Sequence, residues 1–467
     1  MSGAGDLLGY VGDPRALSQT VYELIEMATE SVVLQMYLFA ANGHLATLRP
    51  RAGAFAQAEA IAGWMIDKKR RHPAVTLVVL LDTNTPDDPA RVRRPGALVR
   101  HRLEHAGIAV LNANLFDTRY DRGRTFPSPL AFHRDWPRGG TPDWVARQHR
   151  WQSLHNVEDH RKNLVIDGGL WGAVTSHNFF DAASDWHENL FVFDGGAARS
   201  LSDAALFALG RALDLPQRID LAQRATLRAL TTRTEDAPAT PYRPLPLAPE
   251  LAGFMPRQVP FTTPLSLRRA PVRVLTNEAI RPRFEAALDG ALPGDEIALA
   301  STYLSDLTMW RRLVRAAERG VRVRVLIDDV GALPLGPVAG ALVRGLVNRR
   351  FLDEAAARRV PGLEVRVHRS GAGGQMMHLK TLVVRGSAPV VIGGQCNVTP
   401  NSFSGAWCET DVEVADGPTV DTVFAHFDAL WSLPESVPLA PAGSLAGPLR
   451  VVSRGVLGLF AAAGLRP

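Results

Sequence analysis

Apolar residues fall in two rhythms along this chain. From Arg15, the stretch RALSQTVYELIEMATES spaces them three and four apart, the period of a helix with one buried face. It leads into VVLQMYLFA (Val32 to Ala40), a near-continuous apolar run that predicts a buried strand. The same succession recurs in the second half, where AIRPRFEAALDGALPGDE precedes IALASTYLSD (Ile297 to Asp306). Further strands are predicted at VTLVVLLD, ending at Asp82, and at VRVRVLIDD, which carries Asp328. Another matching pair is IAVLNANL (Ile108 to Leu115) and LEVRVHR (Leu363 to Arg369). Short apolar strands alternating with helical segments indicate α/β units.

The correspondence extends into the polar positions. HRKNLVID at His160 is answered by HLKTLVVR at His378, and LWGAVTSHN, ending at Asn178, by APVVIGGQCN, ending at Asn397. DWHENLFVFDG is answered by AWCETDVEVADG, which matches Trp186 and Glu188 to Trp407 and Glu409. His160 and Glu188 are 28 residues apart, His378 and Glu409 are 31 apart, so the spacing is kept as well as the order. One module therefore occurs twice. The pattern predicts a first module at 1–214, a proline-rich linker or surface strap at 215–270, a second module at 271–436 and a tail at 437–467. The first copy carries an insertion at about 117–159, rich in Arg, His, Trp and Pro.

Composition narrows the class without choosing a substrate. With 467 residues, 46% hydrophobic and 21% charged, the chain has ample material for globular cores. The formal net charge of +5 and a pI of about 9.5 suit an anionic partner, phospholipid headgroup or nucleic acid. Two cysteines, Cys396 and Cys408, argue against a disulfide-stapled secreted domain and fit a reducing compartment. No clustered His/Cys set suggests structural zinc. No basic-then-apolar leader opens the sequence, and no stretch is long and apolar enough to cross a bilayer. The expected location is the cytoplasm, with peripheral contact to a membrane.

Two histidines, two lysines, two asparagines and two glutamates in matching places describe a site shared by both modules. Residues two apart on a strand face the same side, which groups His160 with Lys162 and His378 with Lys380. Lysine ammonium groups and the amides of Asn178 and Asn397 make a cationic, donor-rich cradle for phosphate oxygens. One imidazole can attack phosphorus while the other protonates the leaving alkoxide and later activates the incoming hydroxyl. Glu188 and Glu409 are the natural groups to orient the rings. The lysines supply the charge a cation would otherwise bring, so neither metal nor cofactor is called for. A single H-x-K is usually a wet strand end; a pair with matched Asn, Trp and Glu is not. The pattern is symmetrical and leaves open which histidine is the nucleophile.

HRKNLVID, with His160, Lys162 and Asp167, resembles the H-x-K-x4-D motif of the phospholipase D superfamily. HLKTLVVR keeps His378 and Lys380 but has Arg385 at the aspartate position. The small pair before the asparagine is clear at Gly393 and Gly394 and is replaced by Val174 and Thr175 in the first copy. DWHENLFVFDG, NSFSGAWCE with Ser402 and Phe403, and the closing DGPTVDTVFAHFDALW are similar to cardiolipin synthases. The resemblance implies two α/β modules with mixed sheets flanked by helices, related by a pseudo-two-fold, and one active site at their interface. It further implies phosphatidyl transfer or phospholipase D hydrolysis through a phosphohistidine, with His160 as nucleophile and His378 as general acid/base. Asp167, Gly393 and Gly394 are the supporting positions.

The implied partner is a phospholipid. A superfamily nuclease acting on DNA or RNA, and a non-catalytic relative that binds phosphate or lipid, are the alternatives; no basic stripe with interleaved aromatics favours nucleic acid. Trp186 and Trp407 read as packing beside the site. His155, His177 and His187 have no counterparts in the second copy and read as surface or supporting residues. The insertion reads equally as a lid or as a solvated loop with aromatic anchors. The apolar run from Gly455 to Leu465 reads equally as an interfacial anchor or a packed helix.

Overall fold

The computed structural model describes residues 6–40, 55–82, 95–113, 158–214, 217, 219–232, 241–262, 265–329, 360–370, 374–403 and 407–439. His155, all but the end of the insertion, and the C-terminal apolar run lie outside these residues.

The first half runs β1 (Asp6–Val11), α1 (Pro14–Met27), β2 (Ser31–Met36), β3 (Phe39–Ala40), α2 (Gln57–Arg71), β4 (Thr76–Leu81), α3 (Pro95–His105) and β5 (Ala109–Asn112). It continues with β6 (Glu158–Asp159), β7 (Lys162–Ile166), β8 (Trp171–Thr175), β9 (Phe179–Phe180), β10 (Leu190–Asp194) and α4 (Gly195–Leu213). After α5 (Leu221–Thr231) come β11 (Arg268–Ala270), β12 (Val272–Thr276), α6 (Ile280–Gly290), β13 (Glu296–Ser301), α7 (Leu307–Glu318), β14 (Arg322–Asp328) and β15 (Leu363–His368). The chain then forms β16 (Thr381–Arg385), β17 (Val390–Gly394), α8 (Pro400–Phe403), β18 (Trp407–Cys408), β19 (Thr410–Val414), α9 (Gly417–Trp431) and β20 (Ser436–Pro438).

Among the described residues two eight-stranded mixed sheets result, ordered β11-β1-β10-β8-β7-β2-β4-β5 and β12-β19-β17-β16-β13-β14-β15-β20. From β1 to β5 and from β12 to β15 the orders coincide strand for strand, which bears out the duplicated α/β module. Within each, β2-β4-β5 and β13-β14-β15 are parallel, while the neighbouring pairs β2–β7 and β13–β16 are antiparallel. Local chemistry starts the helices: Asp13 and Asp306 accept from the amides of Ala16 and Met309 as N-caps, and Pro14 opens α1. In α7, Met309, Trp310, Leu313, Val314 and Ala317 form one buried stripe between exposed arginines.

Each sheet buries one face against its own helices, α1–α3 in the first half and α6–α7 in the second. The opposite faces meet in a single core that takes Leu8, Phe191 and Phe193 from the first half and Val412, Val414 and Phe424 from the second. Helices α4 and α9 fill it. The halves are thus packed into one body, with the ends of β7, β8, β16 and β17 at the seam.

Three details were not legible in the pattern. β1 and β12 precede the strands recognised in sequence. In the span read as a linker, Asp220 and Gln223 close a capping box that starts α5, and β11 pairs with β1 in the first sheet. Part of the proline-rich remainder lies along α1 and α2 as a strap, with the amides of Leu245 and Ala248 bonded to Glu23 and Gln19 and Trp64 Nε1 donating to Glu250.

The aspartate of the first motif lies at the far end of β7 from His160. Asp167, at φ +48°, accepts from the amides of Thr29, Glu30 and Ser31 and from the Thr29 hydroxyl, clamping the turn that enters β2. Arg385 occupies this place in the second half, and there the clamp comes from the other strand. Asp295, just before β13, accepts from the amides of Leu292 and Ser387 and from the Ser387 hydroxyl. Arg385 instead pairs with Glu296 and lies 3.9 Å over the Phe424 ring. Asp167→Ala and Asp295→Ala should each lose about 2 kcal/mol in urea titrations, whereas Arg385→Asp should lower stability rather than complete a motif.

A cluster of buried histidines predicts acid sensitivity. His426 is stacked on Phe261, bonded to Tyr10 through Nδ1 at 2.7 Å, and has its Nε2 enclosed without a partner. Burial holds its pKa down at about 3, and burial likewise lowers His187 and His368, whose rings meet edge to face. A ring held below its unfolded value of about 6.5 contributes fully above that pH, and the contribution is lost as pH falls toward the folded value. The histidine contribution to the melting temperature should therefore be level above about pH 6.5 and fall below it, and His426→Phe should remove its share of that fall.

Candidate active site

His160 and His378 lie just ahead of β7 and β16, and each is 6% exposed. Two short cross-half pairings hold these segments. β18 runs parallel to β6 and sets Cys408 against Asp159; the His187–Met377 bridge does the same in the other direction. His187 accepts from the His378 amide and donates its own amide to Met376. The strand-end aspartates act on the residue before each histidine: Asp82 accepts from the Asp159 amide at 2.6 Å, Asp328 from the Met377 amide at 2.8 Å. Sequence reasoning assigned no role to Asp82 or Asp328. Their duplication at the ends of matched strands was the signal.

The orienting contacts are crossed. His160 Nδ1 is 2.9 Å from Glu409 Oε2, and His378 Nδ1 is 2.7 Å from Glu188 Oε1. The second oxygen of each glutamate takes a serine hydroxyl, Ser176 on Glu188 at 2.5 Å and Ser402 on Glu409 at 3.0 Å. The tryptophans cross too: Trp407 lies 5.3 Å from the His160 ring and Trp186 5.5 Å from that of His378. Each Trp-x-Glu thus furnishes an indole and a carboxyl to the histidine of the opposite half. Tyr37 also covers His160, with ring centroids 4.5 Å apart.

Lys162 and Lys380 are buried, and each ammonium bonds the carbonyl of its own histidine at 2.6 Å. Both imidazoles feel both lysines. Burial, then Lys162 and Lys380, push His160 well below its ordinary value; burial lowers His378 to about 3, partly offset by Glu188. Burial likewise drives Lys380 down. The glutamates differ. Burial would raise Glu188, but His378, the contact from His177 and Lys380 outweigh it and hold the carboxyl well below its usual range. Burial lifts Glu409 to about 8 against the pull of Lys162, Ser402 and Lys380.

Asn178 and Asn397 are buried just beyond β8 and β17. Asn178 Oδ1 is enclosed without a partner, and Asn397 Oδ1 accepts from the Tyr303 amide at 3.3 Å. Gly394, at φ +149°, has room for no side chain. A Cβ there would stand 2.8 Å from the Thr410 carbonyl and 2.9 Å from Val174 Cγ1. Val174 of the first half fills the space that Gly394 leaves, which accounts for the missing glycine pair in VTSHN. A Cβ on Gly393 would likewise meet Thr381 Oγ1 at 2.8 Å. Gln395 crosses the seam to the Lys162 carbonyl and to Asn163.

Of the two readings of His177 and His187, surface or supporting, burial excludes the surface one, because both are built into the seam. A groove lined by Phe55, Glu59, Arg102, Glu250 and Phe254 touches none of these residues.

The family described as cardiolipin synthase, PLD-like domain, matches residues 286–431, which contain His378, Lys380, Asn397 and Glu409. Within the second half, that stretch is therefore similar to the phospholipase D-like domain of cardiolipin synthases. A likeness of fold to one solved structure extends over both halves. Phosphatidylserine synthase from Haemophilus influenzae Rd KW20 aligns over 98% of this chain and 95% of its own, at 12% identity and a TM-score of 0.59. Nuc from Salmonella typhimurium, a phospholipase D family member, is 19% identical over 36% of this chain and 98% of its own, with a TM-score of 0.28. No curated protein sequence matches the chain. The phospholipase D-like match falls on the half whose motif has Arg385.

Proposed function

We propose that the chain is a phosphodiester-transferring enzyme acting on phospholipids, of the cardiolipin-synthase or phospholipase D type, working through a covalent phosphohistidine. The observation that carries this reading is the crossed pairing of His160 with Glu409 and His378 with Glu188. With Nδ1 engaged by a carboxyl, each ring keeps Nε2 for chemistry. His160 Nε2 attacks phosphorus, the bond from phosphorus to the leaving alcohol breaks, and His378 gives that oxygen its proton. An incoming alcohol or water then loses its proton to His378 and attacks phosphorus, breaking the P–N bond and freeing His160. Lys162, Lys380, Asn178 and Asn397 hold the phosphate oxygens.

The division of labour follows from the two glutamates. Glu188, held as an anion, is the partner that favours the protonated form of His378 against the burial that lowers it. Between the two lysines, His160 stays unprotonated and nucleophilic. A phospholipid substrate is supported by the cardiolipin-synthase-type domain, and among the described residues no helix is long and apolar enough to cross a membrane. The site meets such a substrate through peripheral contact with the lipid surface, with 1–214 and 271–436 acting as one unit.

Incubating the purified chain with phosphatidylglycerol vesicles and, separately, with plasmid tests this. Lipid products, cardiolipin or phosphatidic acid, support the reading. Cleavage of plasmid alone overturns it in favour of a nuclease, and binding to vesicles without turnover in favour of a phosphate- or lipid-binding relative.

A further inference from the structure

The two halves supply their glutamates differently, and the difference is His177. It precedes Asn178 as Cys396 precedes Asn397, so the same position holds an imidazole in one half and a thiol in the other. The His177 ring is buried, its Nε2 lies 2.7 Å from Gln57 Oε1 and its Nδ1 faces Glu188 Oε1 at 3.3 Å. The approach to Glu188 is oblique rather than an aligned hydrogen bond. Cys396 instead donates to the Asn397 carbonyl, and a buried thiol brings no cation toward Glu409.

The hydrogen bonds behind His177 fix which nitrogen donates. The Ser18 hydroxyl donates to the Pro14 carbonyl at 3.1 Å, so its oxygen is the acceptor for the Gln57 amide nitrogen, also at 3.1 Å. Gln57 therefore turns its oxygen to His177, and Nε2 must carry a proton to meet it. A ring protonated there alone would set the Nδ1 lone pair against a carboxylate oxygen. Ser18, Gln57 and His177 are all buried, so water does not relieve that opposition.

We propose that His177 is a positioning residue: anchored through Nε2 to Gln57, it turns a proton on Nδ1 toward Glu188 and thereby fixes Glu188 as the anionic partner of His378, making the second-half histidine the acid. The inference deepens the reading given under Proposed function and rests on it for the word acid; the proton on Nδ1 does not depend on it. The groups facing Glu188 are His177 and Ser176 from its own half and His378 and Lys380 from the other. Those facing His177 are Gln57, Glu188 and the edge of Phe179.

The test uses the full chain labelled with 15N-histidine, together with His177→Gln and His177→Asn, whose folding is checked by thermal melting. Glutamine keeps a polar group toward Gln57 and loses the one at the Nδ1 position; asparagine places an amide where Nδ1 was. The signals missing from His177→Gln identify His177, and in the native chain both its nitrogens should be protonated at neutral pH. In His177→Gln, transfer from a phosphodiester with an alkyl alcohol leaving group should fall about tenfold or more. With a nitrophenyl leaving group, which departs without a proton, the fall should be less than about threefold. His177→Asn should restore most of the loss. A bare Nδ1 in the native spectrum, or equal losses on both substrates with no recovery in His177→Asn, overturns the proposal. If the native chain transfers no phosphodiester, the reading under Proposed function fails, and the spectrum alone still decides whether His177 turns its proton to Glu188.

Discussion

His160→Asn should abolish phosphatidyl transfer, with kcat lowered by at least about 10³-fold, and no phosphorus should be bound to the protein. Asparagine keeps a polar group near the Nδ1 position, toward Glu409, but has no atom that can reach phosphorus as Nε2 does. His378→Asn should fail differently. The nucleophile, its lysines and its orienting glutamate remain, so a nitrophenyl diester should still phosphorylate His160 once and then stall, because nothing deprotonates the second alcohol. With an alkyl leaving group the loss should again reach about 10³-fold, the general-acid contribution. Rapid-quench measurements of nitrophenol release separate the cases: one equivalent in a burst for His378→Asn and none for His160→Asn. Bursts of equal size would mean that the two rings do not divide the labour.

The glutamates should behave as crossed partners. Glu188→Gln should reproduce the His378 defect and Glu409→Gln the His160 defect, each lowering kcat by about 10²- to 10⁴-fold, the range expected when an imidazole loses the carboxylate that sets its tautomer and orientation. If each glutamate served its own half, the pattern would be reversed. The acid limb of the native pH profile should move when Glu409 is replaced: burial lifts this carboxyl to about 8, and it must ionise to hold His160 with Nε2 free. Activity should therefore be lost as pH falls through that region. Steady-state profiles for the native chain and Glu409→Gln, checked for folding by circular dichroism, read this directly.

How much of this could be read from residues alone divides along physical lines. The duplicated module and the convergence of His160, Lys162, Glu188, His378, Lys380 and Glu409 were legible, because strand periodicity and repeated polar positions survive in one dimension; the mixed sheets followed only from the family resemblance. The crossing was not: nothing in the spacing of Trp186 and Glu188 says that they serve His378. That fact arises from the seam, where β18 pairs with β6 and His187 with Met377. Exchanges of function between neighbouring strands were equally hidden. The clamp made by Asp167 in one half is made by Asp295 in the other, so a comparison by motif position sees only an aspartate replaced by Arg385. Val174 and Gly394 are a complementary pair of the same kind. For buried polar residues such as His177 the sequence left surface and supporting roles undivided, because their partners, Gln57 and Glu188, come from elsewhere in the chain.

The most direct test of the central claim is covalent trapping. Phosphatidylglycerol carrying radiolabelled phosphorus is mixed with the native chain, His160→Asn and His378→Asn, each reaction is quenched in alkali, where phosphohistidine survives, and the labelled peptide is mapped. The account predicts label on His160 in the native chain and none in His160→Asn; any label that His378→Asn acquires sits on His160 and does not turn over. Turnover of lipid by the native chain with no label on either histidine, or label on His378, would contradict it.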